Sequence, residues 1–100
     1  MNDNAYTNLR HLFGSYLHQD WPDEFSTADD AVMAFIEREP KVAIQAACKE
    51  LDEAIPLIAE METPDQFLCD VLWCFYMPSA DGLSTVEWLV NVRDMLKNRA

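Results

Sequence analysis

Thr63-Pro-Asp-Gln-Phe-Leu-Cys-Asp-Val-Leu-Trp-Cys-Phe-Tyr-Met77 is the stretch on which the fold class turns. Thr63-Pro64-Asp65 reads as a helix start. It offers a capping hydroxyl, a proline at the first helical position where no N–H is needed, and an acid facing the positive end of the helix dipole. From Phe67 to Met77 only Asp70 is charged. A helix apolar on nearly all sides is a central, buried element. The rival reading is a strand over Val71 to Met77, which is rich in β-formers. Cap chemistry and the helical patterns on both sides favour the helix.

Downstream, Met77 to Leu83 is a loop with Pro78 and an Asp81-Gly82 turn. Ser84-Thr-Val-Glu87 has the capping-box pattern, and Trp88, Leu89, Val92, Met95 and Leu96 then repeat at helical spacing. Lys97 and Arg99 close that helix where cations complement its dipole. Upstream, Ile44, Ala47, Cys48, Leu51 and Ile55 give the stripe of a helix starting near Lys41. Pro56 has no N–H and its ring clashes with the carbonyl four residues back, so a break near Ala54–Ile55 and a short turn through Met61 are expected.

Before that, Ser26 or Thr27 caps a helix with Asp29 and Asp30 in its first turn and Ala28, Val32, Phe35 and Ile36 on its buried face; Pro40 ends it or opens the next. Gln19 to Ser26 reads as a loop, with Pro22 pushing Trp21 out of the helical region. The first helix runs from about Ala5 to His18 on the stripe Leu9, Leu12, Phe13, Tyr16 and Leu17. Gly14 inside it costs about 1 kcal/mol relative to Ala, so a packing reason, such as close approach of another helix, is expected there. The pattern predicts an all-α chain, with residues 1–100 forming a single compact domain of five to six helices.

Half of the 100 residues are hydrophobic, enough for one real core. The net charge is −11, and its distribution is uneven. Between Asp20 and Asp70 there are 14 acids and 3 bases, while the two ends hold four of each. Nucleic acid and anionic membrane are poor partners for such a surface, because phosphate binding needs Lys and Arg. A basic partner or solubility alone remains, and the excess is larger than the roughly 2 to 8 charges that solubility of a small domain requires. Met1-Asn2-Asp3-Asn4 lacks a basic region followed by an apolar run, and no apolar run nears about 18 residues. Cys48, Cys69 and Cys74 are an odd number in a chain without a signal, so reduced thiols and a cytoplasmic location are expected.

The candidate chemistry is thin. His11 and His18 lie two turns apart on one helix face, with Asp20 the obvious further ligand; polar or loop-anchoring histidines are the simpler reading. His18-Gln19-Asp20-Trp21 holds the residue types of an acid–base pair, but sequence places no nucleophile beside it and there is no glycine-rich phosphate loop. Cys69 and Cys74 are five apart, not at C-x-x-C spacing. Asp70 either reaches water through a gap in the core cover or is a buried carboxylate paired with Arg93 or His11. No catalytic, cofactor-binding or metal-binding residue is assigned, and no cofactor is expected.

Leu9-Arg-His-Leu-Phe-Gly-Ser-Tyr-Leu-His-Gln-Asp-Trp21 resembles the opening of the CdiI family of contact-dependent growth inhibition immunity proteins. Phe25 to Val32, Glu50-Leu51, Cys74-Phe-Tyr-Met-Pro78, Gly82-Leu-Ser84 and Glu87-Trp-Leu89 continue the resemblance, which spans Leu9 to Leu96. The chain departs from the family pattern at Ser26, where glycine is common, at Pro56, and at the bulkier Asp70 to Trp73. The resemblance implies a cytoplasmic antidote, not an enzyme. Such a protein binds the C-terminal toxin domain of a CdiA-type effector, often a nuclease and frequently one acting on tRNA. A nuclease surface is basic, so an acidic antidote that occludes it fits the charge. The expected contacts are Asp20, Asp23, Glu24, Asp29, Asp30, Glu50, Asp52 and Glu53, on a chain that is a monomer or weak dimer when free. A generic acidic adaptor, a nucleic-acid mimic or a small metal-dependent hydrolase are the alternatives.

Overall fold

In the computed structural model, which describes residues 6–99, the α-helices are α1 (Thr7–Tyr16), α2 (Trp21–Glu24), α3 (Ala28–Arg38), α4 (Lys41–Ala59), α5 (Pro64–Asp70) and α6 (Thr85–Arg99). A short 3-10 turn, Pro78–Asp81, precedes α6, and no strand occurs among the described residues. The expected all-α class is what forms. The first helix is shorter than its stripe suggested, and Ala5 lies outside the described residues.

Local chemistry explains several of the boundaries. Thr27 Oγ1 accepts the Asp30 N–H at 3.1 Å and starts α3. Glu39 is held extended by the following Pro40, so α3 stops there and α4 begins immediately. At α6 the capping box is reciprocal: Glu87 N–H donates to Ser84 Oγ at 3.0 Å and Ser84 N–H to Glu87 Oε1 at 3.1 Å. Gly82 closes the 3-10 turn in the left-handed region at φ 78°, which a side chain would strain.

α4 and α6 form the main helix pair, with α1 packed on α3 and α4 and α3 on α6. Leu9, Leu12, Phe13 and Leu17 meet Val32, Phe35, Ile44, Leu51, Ile58, Leu89, Val92 and Leu96 in one core. Phe13 and Trp88 lie with ring centroids 5.5 Å apart, and Tyr76 meets Trp88 at 4.9 Å with the rings tilted by 55°. The Cα radius of gyration is 12.4 Å, as expected of one compact body of this length.

Three expectations need correction. Pro56 does not break its helix: α4 runs unbroken from Lys41 to Ala59. Pro56 sits on the exposed side, where water can take the carbonyl it leaves unpaired, while Leu51, Ala54, Ile55 and Ile58 keep one buried stripe across it. The Gln19–Ser26 loop contains the one-turn helix α2, and Trp21 opens it despite preceding Pro22. Proline in the first turn leaves no bond unmade.

The third correction falls on the deciding stretch. The helix starts at Pro64 as expected but ends at Asp70, and α5 is a flank rather than a central element; only Leu68 of it is fully buried. Beyond it, residues 73–77 are not helical: Trp73 is in the left-handed region at φ 63° and the chain is extended by Met77. Leu72, Cys74 and Tyr76 point inward while Trp73, Phe75 and Met77 point out. The period is that of a strand, with no partner strand. Its anchors are Cys74 N–H to Leu68 O at 3.1 Å and Phe75 N–H to Leu17 O at 2.9 Å. Asp70 is exposed and reaches water, while Arg93 and His11 pair elsewhere.

Candidate acidic interface

Five of the eight expected contact carboxylates gather along one edge. α1 ends at Tyr16, and the turn after it is closed by His18: its Nδ1 accepts the Asp20 N–H at 3.1 Å and its Nε2 faces Glu24 Oε1 at 3.5 Å. An accepting Nδ1 places the ring proton on Nε2, where it can point at Glu24. Trp21 N–H donates to His18 O at 2.9 Å, and its ring meets Tyr76 edge-on at 5.7 Å. The His-Gln-Asp-Trp stretch is thus a loop closure that projects Asp20, Asp23 and Glu24 outward from α2. Asp29 and Asp30 follow in the first turn of α3, both exposed. Among the described residues, none of Asp20, Asp23, Asp29 or Asp30 pairs with a Lys or Arg side chain.

Beside this edge lies an open cleft of about 370 Å³, lined by Thr27, Ala28, Asp29, Tyr76, Asp81, Leu83, Trp88 and Asn91. The Tyr76 hydroxyl donates to Asp81 Oδ2 at 2.5 Å. Burial first, then this carboxylate, push the Tyr76 hydroxyl well above its usual range, so the phenol stays protonated. Asp81 adds a sixth carboxylate to this edge. It lies outside the acidic segment Asp20–Asp70, and only the folding of the 3-10 turn against α6 sets it on the same cleft as Asp29.

The α4 carboxylates are placed differently. Glu50 is half-buried and reaches the start of α1, accepting Leu9 N–H at 3.0 Å, Asn8 N–H at 3.1 Å and Asn8 Nδ2 at 2.7 Å. That end of α1 is a helix length, about 15 Å, from the end that leads into α2. Asp52 faces Arg93 at 3.5 Å and Lys97 at 3.7 Å, tying α4 to the C-terminal half of α6. Glu53 is exposed on α4. The structure therefore brings Asp20, Asp23, Glu24, Asp29 and Asp30 together and sets Glu50 and Asp52 apart.

The other titratable groups are structural in their surroundings. His11 Nε2 and the Tyr16 hydroxyl both bond Glu39, at 3.0 and 2.9 Å, joining α1 to the end of α3. The Tyr16 hydrogen bond, then that of His11, holds the Glu39 carboxyl below its ordinary range. Burial pushes the Cys74 thiol up to about 12 and raises that of Cys48, so neither is a thiolate near neutral pH. Among the described residues no group of three or more His, Cys, Asp or Glu is placed to hold a metal ion, and no helix is long and apolar enough to cross a membrane.

A family model described as CdiI immunity protein matches residues 5–96. No curated protein and no solved structure gives a significant match. The match takes in every landmark of the fold: the α1 turn closure, the Glu50 cap, the extended segment and the α6 capping box. The chain belongs to the CdiI immunity protein family, and its role is immunity in contact-dependent growth inhibition.

Proposed function

We propose that the protein neutralises the C-terminal toxin domain of its cognate effector inside the cell by covering a basic surface with the acidic edge of α2 and α3. It binds and occludes without turnover, and the toxin is a nuclease, whose substrate-binding surface must be positive. The observation that carries this reading is the row of exposed carboxylates Asp20, Asp23, Asp29 and Asp30, none of which pairs with a Lys or Arg side chain among the described residues. Charge left uncompensated at an edge steers an oppositely charged partner and accelerates capture. Glu24 and Asp81 extend the same field. Glu53 lies on the α4 side and Asp52 already has cation partners, so both contribute less.

The test is a charge-reversal series, Asp20→Lys, Asp23→Lys and Asp29→Lys, measured for association with the purified toxin domain across salt concentrations. The triple variant should associate at least roughly 10-fold more slowly at low salt and show a flatter salt dependence. Asp94→Lys, on α6, is the control and should leave capture near wild type. Equal association rates across the series would place the interface elsewhere. Protection of growing cells against the cognate toxin alone separates an immunity protein from a generic acidic adaptor.

A further inference from the structure

The extended segment after α5 exposes three large apolar side chains in a row: Trp73 at 50%, Phe75 at 48% and Met77 at 46% of their full accessibility. Their exposure alternates with the burial of Leu72, Cys74 and Tyr76. A soluble domain has no reason of its own to hold such a row in water.

Trp73 is held there against local preference. Its φ is 63°, the left-handed region that bulky side chains avoid. Arg10 fixes the arrangement from α1: its Nε donates to Val71 O at 2.8 Å, and its guanidinium lies 4.9 Å from the Trp73 ring centroid. Gly14, one turn further along α1, leaves the seat. A Cβ there would stand 3.1 Å from the indole, so the glycine inside α1 serves an aromatic ring and not a second helix. A strained backbone, a stacked cation and a glycine seat together hold an aromatic anchor in a fixed pose, and prepaying its ordering is what makes such an anchor effective in binding.

We propose that Trp73, Phe75 and Met77 form the apolar centre of the toxin contact, seated in an apolar depression on a basic protein domain, with the acidic edge as its rim. This rests on the functional reading above. Two considerations select that occupant over a second copy of this chain. Three half-exposed side chains offer roughly 300 Å², well short of the ~800 Å² per partner of a stable interface, so the contact must spread onto neighbouring surface. Apart from Arg10 at Trp73, that neighbouring surface is acidic. Phe75 is tied to the end of α1, Tyr76 touches Trp21, and Asp20, Asp23 and Glu24 follow directly, with Asp70 at the other end. A second copy would set these carboxylates against each other, whereas a basic partner is attracted by them.

The test uses the full chain and the cognate effector's C-terminal toxin domain, inactivated at its catalytic residue. Trp73→Gly removes the ring and suits the positive φ, so folding should hold while the complex weakens at least ~30-fold, mainly through faster dissociation. Phe75→Ala and Met77→Ala should weaken it less, and Leu57→Ala, an exposed apolar side chain on α4, should leave it unchanged. A wild-type complex unaffected within twofold by Trp73→Gly and Phe75→Ala overturns the apolar centre and leaves the acidic-edge reading standing. No binding by the wild-type chain overturns the functional reading and this occupant with it. A concentration-dependent dimer of the free chain that Trp73→Gly abolishes would instead assign the row to a second copy.

Discussion

Removing the Glu50 carboxylate should unfasten the start of α1. This helix has no side-chain cap of its own: Tyr6 precedes it and no acid lies in its first turn. Its orphan N–H groups are satisfied instead from α4, 41 and 42 residues away, by both Glu50 oxygens. A local cap is worth about 0.5–2 kcal/mol, and a hydrogen bond to a charged group about 1.5–3. Here two backbone bonds and one to the Asn8 amide share one carboxylate, and partial exposure lets water replace part of what is lost. Glu50→Ala should therefore cost about 2–3 kcal/mol, and a domain of this size should melt about 10–20 °C lower. Glu50→Gln keeps one acceptor oxygen and should cost about 1 kcal/mol. Urea unfolding should show a lower midpoint with an unchanged slope. If Glu50→Ala changed stability by less than about 0.5 kcal/mol, the carboxylate is not the cap. If Glu50→Gln slowed toxin capture as much as Asp23→Asn while the fold held, Glu50 is a contact as well.

Pro56→Ala should restore an N–H to the exposed face of α4 and relieve the ring's clash, stabilising the protein by about 1–2 kcal/mol in thermal melts; a lower melting point would mean the helix depends on the proline. Stability should also fall in acid through Glu39. Its folded pKa lies below 4.5, so its contribution is complete above that value and is lost as the pH drops through the depressed folded pKa. Titration melts of Glu39→Gln should show a shallower acid slope than wild type, and identical slopes would assign the acid sensitivity elsewhere.

Much of the architecture was legible because it is written in local chemistry. Ser84 with Glu87 and Thr27 with Asp30 each start a helix by satisfying N–H groups within one turn, and Pro64 opens α5 where no N–H is needed although Thr63 makes no capping bond, so neighbours in sequence are enough to see these starts. The acidic edge was legible in the same way, since Asp20 to Asp30 is contiguous. Pro56 misled because its penalty depends on what surrounds the helix. Solvent on one side and a continuous buried stripe on the other let α4 continue. Val71 to Met77 misled because an all-apolar run has no period of its own; apolar residues stand on both faces, and only the neighbours decide which is covered.

The sequence by itself determined the helical class, the caps of α3 and α6, the acidic segment and the family, because each rests on residues within a turn or two or on a linear pattern. The tertiary structure alone decided which carboxylates serve the fold and which are left exposed. Glu50 is spoken for by the α1 N-terminus and Asp52 by α6, through contacts about 40 residues apart in the chain. It alone placed Asp81 beside Asp29, and it alone turned Trp73 outward by laying its ring between Arg10 and the bare backbone of Gly14. Such pairings depend on which surfaces meet once the core closes, and no local spacing encodes that.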